Sequence, residues 1–94
     1  MNYVVGSAVE IFCEIPSDKI TGTVLTLESL VGPDAVELAI SQTLAASVSI
    51  TNLFSVVWQS TEGTHPVGKY KFIVKAKNGL VENFGKGNFY LTES

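Results

Sequence analysis

Apolar and polar residues alternate with period two along most of this chain, the signature of half-buried strands. Val9, Ile11, Cys13 and Ile15 alternate with Ala8, Glu10, Phe12 and Glu14, which predicts a strand over residues 8–15. Pro16-Ser17-Asp18-Lys19 and Thr21-Gly22 are turn-forming and end it. A second strand is predicted over residues 23–31, with Leu25 and Leu27 on one face and Glu28 on the other, stopped by Gly32-Pro33-Asp34. Val36, Leu38 and Ile40 alternate with Glu37 and Ala39 and read as a shorter strand. The stretch 34–46 is also rich in helix formers behind an N-cap candidate, Asp34, so one or two helical turns are the alternative there.

The longest alternating run covers residues 47–60, where Val48, Ile50, Phe54, Val56 and Trp58 share a face interrupted by Asn52. It exceeds the usual strand length of about 3–10 residues, so a bend at Thr51-Asn52 is expected to split it. Residues 61–68 form a loop. Tyr70, Phe72, Val74 and Ala76 then alternate with Lys69, Lys71, Lys75 and Lys77, and Ile73 is the apolar exception on the lysine face. Asn78-Gly79 is a strong hairpin signal, because Gly accepts positive φ freely and Asn tolerates it. The last strand is predicted over residues 80–92, with Gly85-Lys86-Gly87 as a bulge or bend inside it.

About seven short strands separated by turn signals, with no internal repeat, predict a single all-β antiparallel sandwich occupying residues 1–94. The expected core is Val9, Ile11, Ile15, Leu25, Leu27, Val48, Ile50, Phe54, Trp58, Tyr70, Phe72, Val74, Phe89 and Leu91. Composition agrees with a packed domain, since 46% of residues are hydrophobic and 16% charged, far from the balance of a disordered chain.

Charge narrows the function classes. The formal net charge is −3 with only six Lys+Arg, too few and too dispersed for the basic stripe that a phosphate backbone demands, so no nucleic-acid partner is expected. No apolar run approaches the roughly 20 residues of a membrane span, so no membrane partner is expected either. The residues from Met1 to Gly6 lack the basic and long apolar regions of a signal peptide, which predicts synthesis and folding in the cytoplasm.

The chemistry-bearing residues are sparse. His65 is the only histidine and Cys13 the only cysteine, so no His pair, Cys/His metal quartet or internal disulfide can form. His65 reads as a solvated loop residue. Cys13, alternating with Ile11 and Ile15, reads as a small core hydrophobe. Glu10, Glu14, Asp18, Glu28, Asp34 and Glu37 are scattered without calcium-loop spacing, and Gly85-Lys86-Gly87-Asn88 lacks the strand-to-helix context of a phosphate loop. The expectation is a protein that is not an enzyme and takes no cofactor or metal. The lysines at 69, 71, 75 and 77 read as a solvated outer face, with docking of an acidic partner as the functional alternative. Five apolar residues fall on the polar phase of their strands, namely Phe12, Leu53, Val57, Ile73 and Tyr90. They are the candidate interface, for a partner or for self-association into a homo-oligomer.

Gly68-Lys69-Tyr70-Lys71-Phe72 resembles the tyrosine-corner region of immunoglobulin-like domains, in which the pattern is Gly-x-Tyr-x-Cys at the start of strand F. Tyr70 matches the tyrosine, Phe72 stands at the cysteine position, and Cys13 resembles the strand B cysteine without its partner. The chain departs from the pattern at Pro66, where an acidic residue is common, and Trp58 comes too late to be the strand C tryptophan. The overall plan from Gly6 to Ile15 and from Trp58 to Leu91 is similar to the disulfide-free immunoglobulin-like sandwiches of prokaryotes and their viruses. One such group sits on the capsids, collars and tails of bacteriophage particles. The resemblance implies a structural or decoration protein of a virion that contacts other virion proteins. A carbohydrate- or cell-surface-binding module, using Trp58, Tyr3, Tyr90 and Asn88, is the alternative.

Overall fold

The computed structural model describes residues 2–16, 18, 20–38, 41–47, 50 and 52–93. Its strands are β1 (Asn2–Val4), β2 (Ala8–Glu14), β3 (Val24–Val31), β4 (Gln42–Thr43), β5 (Ala45–Ala46), β6 (Leu53–Gln59), β7 (Gly68–Asn78) and β8 (Val81–Thr92), and the described residues contain no α-helix. They form a five-stranded sheet of order β1-β8-β7-β3-β4 and a three-stranded sheet of order β2-β6-β5. All ladders are antiparallel except β1–β8.

The period-two pattern works as anticipated in β2, β6 and β7. Val9 and Ile11 of β2 and Phe54 and Trp58 of β6 point to one side of the small sheet. Leu25, Leu27 and Leu30 of β3, Tyr70 and Val74 of β7, and Phe89 and Leu91 of β8 point to one side of the large sheet. These residues belong to one buried cluster, so the core lies between the two sheets. Aromatic rings are its centre. Tyr70 stacks on Phe89 at 5.3 Å with the ring planes 3° apart, and Trp58 leans on both at 5.6 and 6.0 Å.

Several expectations are corrected. Ile50 is not core: it is 51% exposed in the turn that precedes β6, where its amide donates to Ser47 Oγ and its carbonyl accepts from Leu53. Chain reversal at this turn breaks the alternating phase before the strand begins. Val48 lies outside the described residues. Phe72 packs against the core but is only partly buried. Leu30 and Leu44 supply core that the alternation did not flag. Leu44 is the residue between β4 and β5, where the chain crosses from one sheet to the other. Its amide donates to Leu25 O while its side chain turns inward.

The short strand expected at residues 36–40 reduces, in its described part, to a single bridge between Glu37 and Val31. The turn before it explains why. Ala35 has φ of 63° and its amide donates to Gly32 O, while Asp34 Oδ1 accepts from the Val36 amide. Asp34 therefore organises a turn instead of capping a helix. Ala39 and Ile40 lie outside the described residues.

The β7–β8 hairpin is present, with its loop one residue later than the Asn-Gly signal implies. Asn78 pairs with Val81, so Gly79 and Leu80 are the loop residues, with Gly79 at φ of 62°. Asn78 instead spends its side chain on the 21–23 turn, donating to Thr21 O and Thr23 Oγ1 at 3.0 Å each. The register runs unbroken from Gly68–Leu91 to Asn78–Val81, so Gly85-Lys86-Gly87 is neither a bulge nor a bend. Gly87 lies under the Phe72 ring, and a Cβ there would come within 2.8 Å of Phe72 Cε1. The register shift falls in β3 instead, between Leu27 and Ser29.

Candidate interaction surfaces

The five candidate interface residues do not form one patch. Because side chains alternate across a strand, Phe12, Leu53 and Val57 lie on the outer face of the three-stranded sheet. Phe12 sits opposite Ser55, with Leu53 and Val57 at the two diagonal positions. Diagonal neighbours are about 7–8 Å apart, within reach of an aromatic ring. Phe12 is 42% and Val57 54% exposed, whereas Leu53 is half-buried. Ala8, Glu10 and Glu14 are the other outward residues of β2, with Glu10 directly across from Val57 and Glu14 across from Leu53. This patch is apolar with an acidic rim.

Ile73 and Tyr90 lie on the opposite face of the molecule, the outer face of the five-stranded sheet. Tyr90 pairs with Lys69 and Ile73 with Lys86. Lys71, Lys75, Lys77 and Phe84 share that face. Ile73 is half-buried, whereas Tyr90 is 41% and Phe84 60% exposed. Phe84 belongs to the same surface and escaped the sequence reading because the supposed bulge blurred the phase of β8. Five of the six basic residues of the chain are thus gathered on one face. Each side chain follows from the same alternation that fills the core, so the charge segregation is a product of strand register.

One lysine in this face is engaged. Lys75 Nζ lies 2.8 Å from Glu28 Oε1, and this hydrogen bond and charge raise the lysine pKa, with Glu82 adding to the effect. Lys77 is its neighbour on the same face of the strand, and Ile73 separates it from Lys71.

Tyr70 is 1% exposed and its hydroxyl donates to Pro66 O at 2.7 Å, tying the start of β7 to the loop behind it. Burial pushes the phenol pKa up, and the negative charge of Asp34 adds to this. His65 is corrected from a solvated loop residue to a half-buried brace. Its Nδ1 accepts from the Thr61 amide at 2.8 Å, its own amide donates to Thr61 O, and its ring lies 4.7 Å from the Trp58 ring. Cys13 is half-buried opposite Phe54, and burial pushes its thiol up, which disfavours the reactive thiolate.

The concave features are shallow surface hollows. One of about 620 Å³ at the loop end is lined by Val5, Asp34, Glu62, His65, Val67 and Glu93 among others. Another of about 620 Å³ lies at the opposite end between Ile15, Pro16, Ala76 and Val81. Among the described residues no three His, Cys, Asp or Glu side chains are placed to share a metal ion. Trp58, with 9% exposure, stacks inside the core and Tyr3 edges onto Phe89, so neither offers a flat exposed ring; Tyr90 and Asn88 remain on the surface. No known family model matches the chain, and no curated protein matches it.

Proposed function

We propose that the chain is an immunoglobulin-like domain that works by surface complementarity and not by catalysis, as a structural or decoration protein of a bacteriophage particle. The strand order supports the immunoglobulin-like reading. β7, β8 and β3 take the places of strands F, G and C, while β2, β6 and β5 take those of B, E and D. The bond from the Tyr70 hydroxyl to Pro66 O is of the tyrosine-corner kind.

The observation that carries the binding role is the pair of opposed outer faces. One presents Phe12, Leu53 and Val57 inside an acidic rim, and the other presents Phe84, Ile73 and Tyr90 among lysines. Exposed apolar groups rimmed by charged residues support a docking role; on the lysine face the rim also includes Glu82 and the Glu28 that pairs with Lys75. The particle assignment rests on the resemblance of the whole plan to disulfide-free virion domains.

Mass spectrometry of purified virions from a host expressing the chain tests it. The expected result is co-purification of the polypeptide at a fixed ratio to the capsid or tail proteins, reduced by Phe12→Glu or Val57→Glu. Virions lacking the polypeptide would refute the particle role. Specific hits on a glycan array would shift the reading to a carbohydrate-binding module.

A further inference from the structure

The long edge of β8 is uncovered. β1 pairs only with Tyr90–Thr92, so among the described residues Val81 to Phe89 have no strand on that side. The direction of the free backbone groups is set. The Val5 amide donates to Thr92 O on the β1 side at 2.8 Å, so Thr92 faces outward from the β7 ladder. Every second residue before it, Tyr90, Asn88, Lys86, Phe84 and Glu82, therefore aims its N–H and C=O at the open edge.

Such an edge is a template for a further strand, and proteins normally blunt it with proline, a bulge, short length, an inward charge or charged side chains along it; the charges here, Glu82 and Lys86, are of opposite sign. This stretch has no proline, and its pairing with β7 is bulge-free. Phe84 is 60% and Val81 61% exposed along it.

We propose that two copies of this chain associate through β8, antiparallel about a two-fold axis at Phe84. The register follows from the side chains. With Phe84 opposite Phe84 of the second copy, Glu82 of each copy faces Lys86 of the other, so both charge pairs match at once. Phe84, Glu82 and Lys86 are all residues whose backbone groups point outward, so this register also meets the hydrogen-bonding phase. Centring on Glu82 or on Lys86 would face like charges, and centring on the residues between them and Phe84 would set the ring against a charge. The stretch from Leu80 to Asn88 is centred on Phe84 and ends before Tyr90, where the pairing with β1 begins. The result is an isologous dimer with one sheet continuous across both copies. This proposal is independent of any particle role.

Sedimentation of the full chain from micromolar to millimolar concentration tests it. The wild type is expected to form a dimer that dissociates on dilution. Lys86→Glu and Glu82→Lys are each expected to weaken it at least about tenfold, because each creates two like-charge contacts. Lys86→Glu has the cleaner background, since Lys86 pairs with Ile73 on β7, whereas Glu82 pairs with Lys77 within the chain. An equimolar mixture of the two variants is expected to recover wild-type affinity as a heterodimer, because every contact becomes a Glu facing a Lys. A wild type that stays monomeric throughout overturns the proposal. So does a dimer that Lys86→Glu leaves intact, or a mixture that does not recover.

Discussion

Replacing Tyr70 with Phe isolates the hydrogen bond at the start of β7. Phe retains the ring, and so keeps the stack on Phe89 and the contact with Trp58. What is lost is one short bond, from a hydroxyl on a residue 1% exposed to Pro66 O at 2.7 Å. A neutral hydrogen bond contributes about 0.5–1.5 kcal/mol net, and a carbonyl left without a partner costs about 1–3 kcal/mol. The Pro66 carbonyl is part-buried, so water recovers some of that cost, and the expected loss is about 1–2 kcal/mol. For a domain of this size the melting temperature should fall by about 4–16 °C. Urea unfolding followed by fluorescence of Trp58, the only tryptophan, reads the difference directly. A pH series adds a second arm. Burial raises the Tyr70 pKa, so the fold favours the neutral phenol. That contribution is complete below the ordinary tyrosine value near ~10 and is lost as pH rises through the folded value. The stability gap between wild type and Tyr70→Phe should therefore narrow above pH ~10, while the tyrosines and lysines common to both proteins cancel. A variant within about 0.3 kcal/mol of wild type, or a gap that widens in alkali, refutes the reasoning.

Other substitutions test the packing. Leu44→Ala should cost about 2–5 kcal/mol, because Leu44 is 4% exposed where the chain changes sheets, whereas Ile50→Ala, half-exposed in a turn, should cost less than about 1 kcal/mol; chemical denaturation compares them. Gly87→Ala should destabilise by about 1–3 kcal/mol, since its Cβ would press on Phe72, and Phe72→Leu in the same chain should recover part of the loss in a double-mutant cycle. Ala35→Gly should raise stability by about 0.5–1 kcal/mol, because the left-handed conformation at φ of 63° strains alanine by more than glycine loses in chain entropy; thermal melts measure it. Cys13 should alkylate with iodoacetamide more slowly than in unfolded chain, and its rate should keep rising to higher pH, as its raised pKa requires; equal rates in the folded and unfolded chain would contradict its burial.

Strands β2, β6 and β7 were legible because one face of each is covered and the other wet, so burial imposes a two-residue period on the residues themselves. The same logic made the lysine face and the outward positions of Phe12, Leu53, Val57, Ile73 and Tyr90 readable in advance. It gave no warning that these five divide between opposite faces of the molecule, because alternation says that a residue points outward without saying from which sheet. Val36 and Ile50 misled it for a local reason. Their backbones serve turns, and a turn resets the phase of alternation that identical residues would obey in a strand.

What the amino-acid order determined by itself is the all-β class, the long hairpin that closes the chain, and the identity of most core residues. These depend on neighbours a few positions apart. Only the tertiary structure decided the division into a five-stranded and a three-stranded sheet, the burial of Leu30 and Leu44, and the placing of Gly87 beneath Phe72. It also decided that β1 reaches only the last residues of β8 and leaves the rest of that edge open. Those features arise from contacts between segments far apart in the chain, where packing volume and hydrogen-bond pairing select the partner and local pattern carries no record of the choice.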